Sequence, residues 1–155
     1  MFLDELPFWQ THTAGSMSLP RDLDPAVAPR MDSSASVHTM LSPDATEVLL
    51  RTAPRTIGVE VQDILLTALV RSTSTWTGNA GLPITLESHG RPDLFDDVDT
   101  TRLVGWCTSQ FPLRLTVDAA ASGIDAIKSI KEQVRIVCLE NDLEKLLGDL
   151  AIHRL

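Results

Sequence analysis

The chain has 155 residues, 43% of them apolar and 22% charged, with a formal net charge of −8. That balance is globular, and the length suits one domain that buries roughly 68–70% of its unfolded surface. A sequence pI of about 4.8 argues against a nucleic-acid or anionic-membrane surface, both of which need clustered Lys and Arg.

No apolar run approaches the ~20 residues of a membrane span. The opening "MFLDELPFWQ" has acids where a signal peptide needs positive charge, so a cytoplasmic location is expected. Cys107 and Cys138 form no CxxC or metal spacing, and a reducing compartment is the default. The four histidines show no HxxxH or HExxH spacing, so no metal site is expected.

In chain order, "DELPFWQTHTA" (residues 4–14) suits a short helix anchored by Phe8 and Trp9. Residues 15–36, dominated by Gly, Pro, Ser and Asp, read as an extended connector. "SVHTMLS" (36–42) is expected to form a strand. Ser42 then N-caps a helix, with Pro43 at its first position and Asp44 in its first turn; Pro54 marks its end. A second helix lies within residues 56–79. Its stripe is Val61, Ile64, Leu65, Ala68, Leu69 and Thr73, broadened by Leu66 and Val70, which predicts burial on most sides. Gly78 and Asn79 stop it.

"LPITLESHG" (82–90) alternates as a strand. "RPDLFDDVDTT" is a polar loop; its acids lack the Gly and terminal Glu of a calcium loop. "RLVGWCTSQFPLRLTVD" is strand-like again, with Gly105 as a candidate bulge and Pro112 as an edge mark. "GIDAIKSIKEQVRIV" (123–137) is a helix with the stripe Ile124, Ile127, Ile130, Val134 and Val137. The tail "CLENDLEKLLGDLAIHRL" is weakly helical. The order β–α–α–β–β–α predicts a mixed sheet covered by long helices, in the α/β or mixed α+β range.

Several of these segments look familiar together. "LESHGR" (86–91) resembles the EGHGRE motif of nonribosomal peptide synthetase epimerization domains, members of the condensation-domain superfamily. "DTTRLVGWCTSQFPLRL" (99–115) resembles their RTVGWFTSxxPxxL motif, and "PFWQTHTAGSMSLPRD" (7–22) is similar to their YW…LPxD segment. "VQDILLTALVRSTSTWTG" (61–78) and "IKSIKEQVR" (127–135) resemble two of their helices. The five segments stand in the family's order over residues ~7–137. There are departures. The HHxxxDG motif that supplies the family's catalytic histidine is absent, as is the Gly-Tyr-Gly-rich motif after the last helix. Ser88, Leu103 and Cys107 replace the family's Gly, Thr and Phe, and Pro92 stands where Glu is common.

The resemblance implies a partial chloramphenicol-acetyltransferase-like lobe, an internal fragment of a larger domain. Residues 1–36 are its N-terminal helix and linker, 37–137 the partial C-terminal lobe, and 138–155 a divergent Leu-rich tail. It implies action, in the parent, on aminoacyl or peptidyl thioesters held by a carrier protein, by Cα epimerization or peptide-bond formation, in secondary metabolite biosynthesis. No cofactor is bound directly; the phosphopantetheine arm belongs to the partner peptidyl carrier protein. Other expected partners are neighbouring synthetase domains or the missing lobe, and a second copy through exposed apolar surface, with neither nucleic acid nor membrane.

Epimerization needs two acid/base groups flanking Cα. The resemblance assigns one role to Glu87, on a strand lining a tunnel where desolvation raises a carboxyl's pKa, and the other to the absent histidine. The family is enzymatic; a chain with half the site is expected to be inactive alone. His89, two residues on, shares the strand face of Glu87 and either tunes it or is a structural histidine. Arg91, and Arg102 likewise, pairs with an acid such as Asp96, Asp97 or Asp99. Trp106 is expected to pack rather than bind ligand. Thr108 and Ser109 either hydrogen-bond the phosphopantetheine arm or are plain strand-end hydroxyls. Cys107 reads as a structural thiol. Two alternatives stay open: a non-catalytic module that contacts carrier proteins or sister subunits on the same scaffold, and a related acyltransferase.

Overall fold

The computed structural model describes residues 6–10, 19–21, 31–88, 99 and 102–140. Residues 6–10 are helical, and Phe8 and Trp9 meet edge-on with ring centroids 5.3 Å apart. The predicted strand over 36–42 does not form. Residues 34–42 are irregular, and Val37, Met40 and Leu41 are exposed. Short alternation specifies a strand only where a sheet edge receives it, and none of the described residues pairs there.

Helix α1 (Pro43–Glu47) starts as its sequence dictates: the Ser42 hydroxyl oxygen accepts the Ala45 N–H at 3.2 Å. Pro54 does not end it. A π-helical segment, Val48–Thr52, follows, and α2 (Ala53–Ile57) continues the rod. A proline inside an α-helix lacks one N–H and clashes with the carbonyl four residues back. The wider turn, in which Ala53 N–H donates to Val48 O, makes room for the ring. Gly58, at φ 74°, closes α2 in the left-handed conformation, its N–H donating to Pro54 O.

Helix α3 (Val61–Thr77) opens on a capping box in which the Glu60 N–H donates to Asp63 Oδ2 at 2.8 Å, and Gly78 ends it. Its buried face is Asp63, Leu66, Thr67 and Val70. Leu65, Ala68 and Leu69, part of the stripe expected to be buried, are exposed. The helix carries apolar residues on both sides, so periodicity alone does not say which side meets the sheet.

Strands β1 (Gly81–Ser88) and β2 (Ser109–Thr116) form an antiparallel pair, with Leu82 opposite Leu115, Thr85 opposite Pro112 and Glu87 opposite Gln110. Leu82, Phe111, Leu113 and Leu115 are buried on one face, with Ile84 and Leu86 packed beside them. Helix α4 (Gly123–Glu140) is capped by Ser122, whose hydroxyl accepts the Asp125 N–H. Ala126, Ile130 and Val137 of α4 join Leu66 and Val70 of α3 in one core over that sheet face, and Phe8 and Trp9 pack against it. Ile124, expected in the stripe, is exposed at the first turn.

The Thr116 N–H turns away from β1 to Gln133, whereas Val117 N–H donates to Ala80 O. Alternation then turns the even-numbered residues of β2, and their partners on β1, outward from the ladder. Pro112 and Pro83 both fall at these outward positions, where a missing N–H costs the sheet nothing. Gly105 lies before β2 begins at Ser109, so it marks no bulge.

Candidate functional site

The candidate site lies at the open end of the β-pair, on the face opposite the core. Side chains alternate across a strand, so burying Leu82 and packing Ile84 and Leu86 inward sends Thr85 and Glu87 to the other face. Both are exposed. Glu87 and Gln110 are cross-strand partners at an outward position of the ladder. Such non-hydrogen-bonded pairs bring Cα atoms to about 4.5 Å and their side chains close together. The Gln110 Nε2 accordingly donates to Glu87 Oε1 at 2.5 Å. Farther along the same face, the Arg114 guanidinium lies over Gly81, where an added Cβ would stand 3.1 Å from Nη2.

Among the described residues nothing covers Glu87, so the expected tunnel wall and the burial it would bring are not formed by them. Two shallow grooves occur elsewhere. One, of about 370 Å³, lies at the end of α3 against the turn after β2, between Arg71, Ser74, Asn79 and Asp118. The other lies along α1 and α2, between Glu47, Arg51 and Arg55. Neither includes Glu87.

The remaining expected residues are dispersed. His89 and Arg91 lie outside the described residues, as do Asp96 and Asp97. Arg102 and Thr108 are exposed. Ser109 opens β2 opposite Ser88. Trp106 does not pack: it is 91% exposed, beside Val104 at 97%. The strand begins at Ser109, seven residues after the start of the strand-like segment at Arg102, so the part carrying Trp106 does not enter the sheet. Cys107 is half-buried and free. Gln110 escapes the sequence reading. Its signal is its place opposite Glu87, and the long connection over residues 89–108 hides that register.

The antiparallel pair backed by α3 and α4 belongs to a domain of the chloramphenicol-acetyltransferase-like fold, as the solved structures it matches show. The structure aligns with the epimerization domain from the third module of tyrocidine synthetase B at a TM-score of 0.73 and 33% identity, over 86% of this chain and 30% of that one. It shares the fold of the first condensation domain of the calcium-dependent antibiotic synthetase at a TM-score of 0.53 and 22% identity, over 68% of this chain and 25% of that one.

Among curated relatives, tyrocidine synthase 1 of Brevibacillus parabrevis is 36% identical over 135 residues, 86% of this chain and 12% of that protein. Bacitracin synthase 2 of Bacillus licheniformis is 34% identical over 133 residues, 86% of this chain and 5% of that protein. The condensation-domain family model matches residues 1–154, and the chain belongs to that family. The match takes in the Leu-rich tail. The chain spans a small part of the curated relatives it matches, which are nonribosomal peptide synthetases. No helix among the described residues is long and apolar enough to cross a membrane.

Proposed function

We propose that the chain supplies one half of an epimerization-type site, with Glu87 as one of the two acid/base groups, acting on an aminoacyl or peptidyl thioester presented on the phosphopantetheine arm of a peptidyl carrier protein. The observation that carries this reading is the position of Glu87: a carboxylate on the outer, uncovered face of the β-pair, within the segment that resembles the family's glutamate motif. One group breaks the Cα–H bond and takes the proton, leaving the electron pair delocalised onto the thioester oxygen. The other delivers a proton to the opposite face of Cα. The second group is the histidine of an HHxxxDG motif, which these 155 residues do not contain. Thr108 and Ser109, at the start of β2, are placed in this reading along the path of the arm. Residues 37–137 act as the lobe segment that carries Glu87.

The test is Cα hydrogen–deuterium exchange on a loaded carrier protein. The chain alone is expected to give no exchange above buffer. Adding a polypeptide that carries the HHxxxDG lobe is expected to restore it, and Glu87→Gln to lower the restored rate by about 10²–10⁴-fold. Exchange that ignores Glu87 sinks the reading.

A second reading, a non-catalytic docking module, is supported by the outer face of α3. Leu65, Leu69 and Trp76 are exposed there and align in one stripe at helical spacing. An apolar stripe of this kind marks an interface, here with neighbouring synthetase domains, the complementary lobe or a second copy of the chain. Sedimentation of the chain at micromolar concentration distinguishes these. A monomer that Leu69→Glu leaves unchanged removes the second copy.

A further inference from the structure

We infer that Gln110 is a positioning residue for Glu87, holding its carboxylate on the outer sheet face from the neighbouring strand. This rests on the proposed role of Glu87 and goes beyond it, because Gln110 occupies a variable position of the motif that its segment resembles. Three observations carry it. The register makes Glu87 and Gln110 direct partners. Their place in the outward, non-hydrogen-bonded set brings the side chains together. The amide Nε2 donates to Oε1 across the pair.

An exposed glutamate otherwise samples several rotamers, and each costs time away from a reactive geometry. A donor fixed to a strand restricts that sampling, and geometry of this kind carries much of a proton transfer's efficiency. The contact occupies Oε1 and leaves Oε2 of the same carboxylate to reach a Cα proton. Gln110 neither gains nor loses a proton; it acts through Glu87.

The arrangement behind β2 keeps the donor in place. Phe111, next to Gln110, is buried in the core, which fixes the strand's facing and sends Gln110 outward. Pro112 follows at the next outward position and restricts the backbone there. A rigid strand therefore presents the amide, so the positioning does not depend on a loop.

The decisive experiment is NMR on the full chain. The wild type is expected to show an NOE between the Gln110 side-chain amide protons and the Glu87 γ-protons, with Glu87 side-chain couplings of a single rotamer. Gln110→Leu, which keeps the bulk and removes the donor, is expected to abolish the NOE and average the couplings while the thermal midpoint stays put. Averaged couplings in the wild type, or unchanged couplings in Gln110→Leu, overturn the inference.

The complemented exchange assay supplies the functional arm. Gln110→Leu is expected to lower kcat about fivefold, the worth of one ~1 kcal/mol hydrogen bond, with KM unchanged. If Glu87→Gln leaves exchange intact, the proposed function fails and the NMR result still decides the contact. If Glu87→Gln abolishes exchange and Gln110→Leu does not change kcat, only the positioning role fails.

Discussion

The side chain of Gln133 closes both backbone polar groups of Thr116. Its Oε1 accepts the Thr116 N–H at 2.9 Å and its Nε2 donates to the Thr116 carbonyl at 2.8 Å. One residue of α4 thus pairs with the outer edge of β2 as a further strand would. The same Nε2 donates to the Ser129 carbonyl one helical turn back, which holds the amide in place. Exposed edges invite pairing with other chains, and this contact, with Pro112 four pairs along, blunts the edge of β2.

Removing that amide tests the contact. Gln133→Ala is expected to destabilise the chain by about 1–2 kcal/mol, the net worth of two backbone-directed hydrogen bonds. Gln133→Glu retains the acceptor and loses the donor, so roughly half that loss is expected. Urea unfolding followed by circular dichroism measures both. Equal stabilities for the wild type and Gln133→Ala contradict the contact.

Two adjacent leucines on α3 test which face of that helix meets the sheet. Leu66 is 7% exposed and Leu65 53%. Leu66→Ala is expected to cost about 2–5 kcal/mol, the transfer term plus a cavity beside Val70. Leu65→Ala is expected to stay within about 0.5 kcal/mol in dilute solution, where self-association does not contribute. A reversed order of the two midpoints in urea means that the helix is rotated about its axis.

The same helix shows what the sequence makes legible. Its C-terminal end is readable, because Gly78 performs one local job and its neighbours do not alter it. Its buried side is not, because Leu65 and Leu66 are chemically alike and only the sheet distinguishes them. The strand 81–88 is readable from alternation, while the apolar segment 36–42 alternates as well and finds no partner. Pro54 reads as a stop, since sequence rules do not anticipate a π-turn that accommodates the ring. Glu87 becomes a candidate only by resemblance; as a lone exposed carboxylate it carries no signal of its own. Gln110 depends on a register set across residues 89–108, which no local pattern encodes.

Gly58 supports a third prediction. Its φ of 74° lies in the left-handed region, and an added Cβ would meet nothing within 4 Å. Any cost of a side chain there is therefore conformational. Gly58→Ala is expected to lower stability by about 1–2 kcal/mol, and Gly58→Asn by less, since asparagine visits this region more readily. The Gly58 carbonyl also accepts from Lys131 Nζ at 2.6 Å, which ties the end of α2 to α4. Lys131→Met is expected to cost about 1 kcal/mol or less. Thermal unfolding of the three variants ranks them; an Ala variant as stable as the wild type contradicts the backbone assignment.

Glu132 gives the pH dependence its sign. Its carboxyl is held below the ordinary glutamate range chiefly by the hydrogen bond from Arg135; desolvation opposes this, and the charges of Arg135 and then Lys131 add smaller lowering effects. The Arg135 Nε–Oε2 distance is 2.8 Å. A carboxyl with a depressed folded-state pKa binds its proton more readily in the unfolded chain. Its stabilising contribution is therefore complete above the unfolded-state value and is lost as the pH falls through the folded-state value. The pair is solvent-exposed and spans one turn of α4, so its contribution is small and is screened by salt. Glu132→Gln is expected to be slightly less stable than the wild type at pH 7 in low salt. The gap should close on acidification through the carboxylate range and shrink in high salt at pH 7. Urea midpoints of both proteins between pH 7 and pH 3 provide the check, and a gap that widens toward pH 3 contradicts the ion pair.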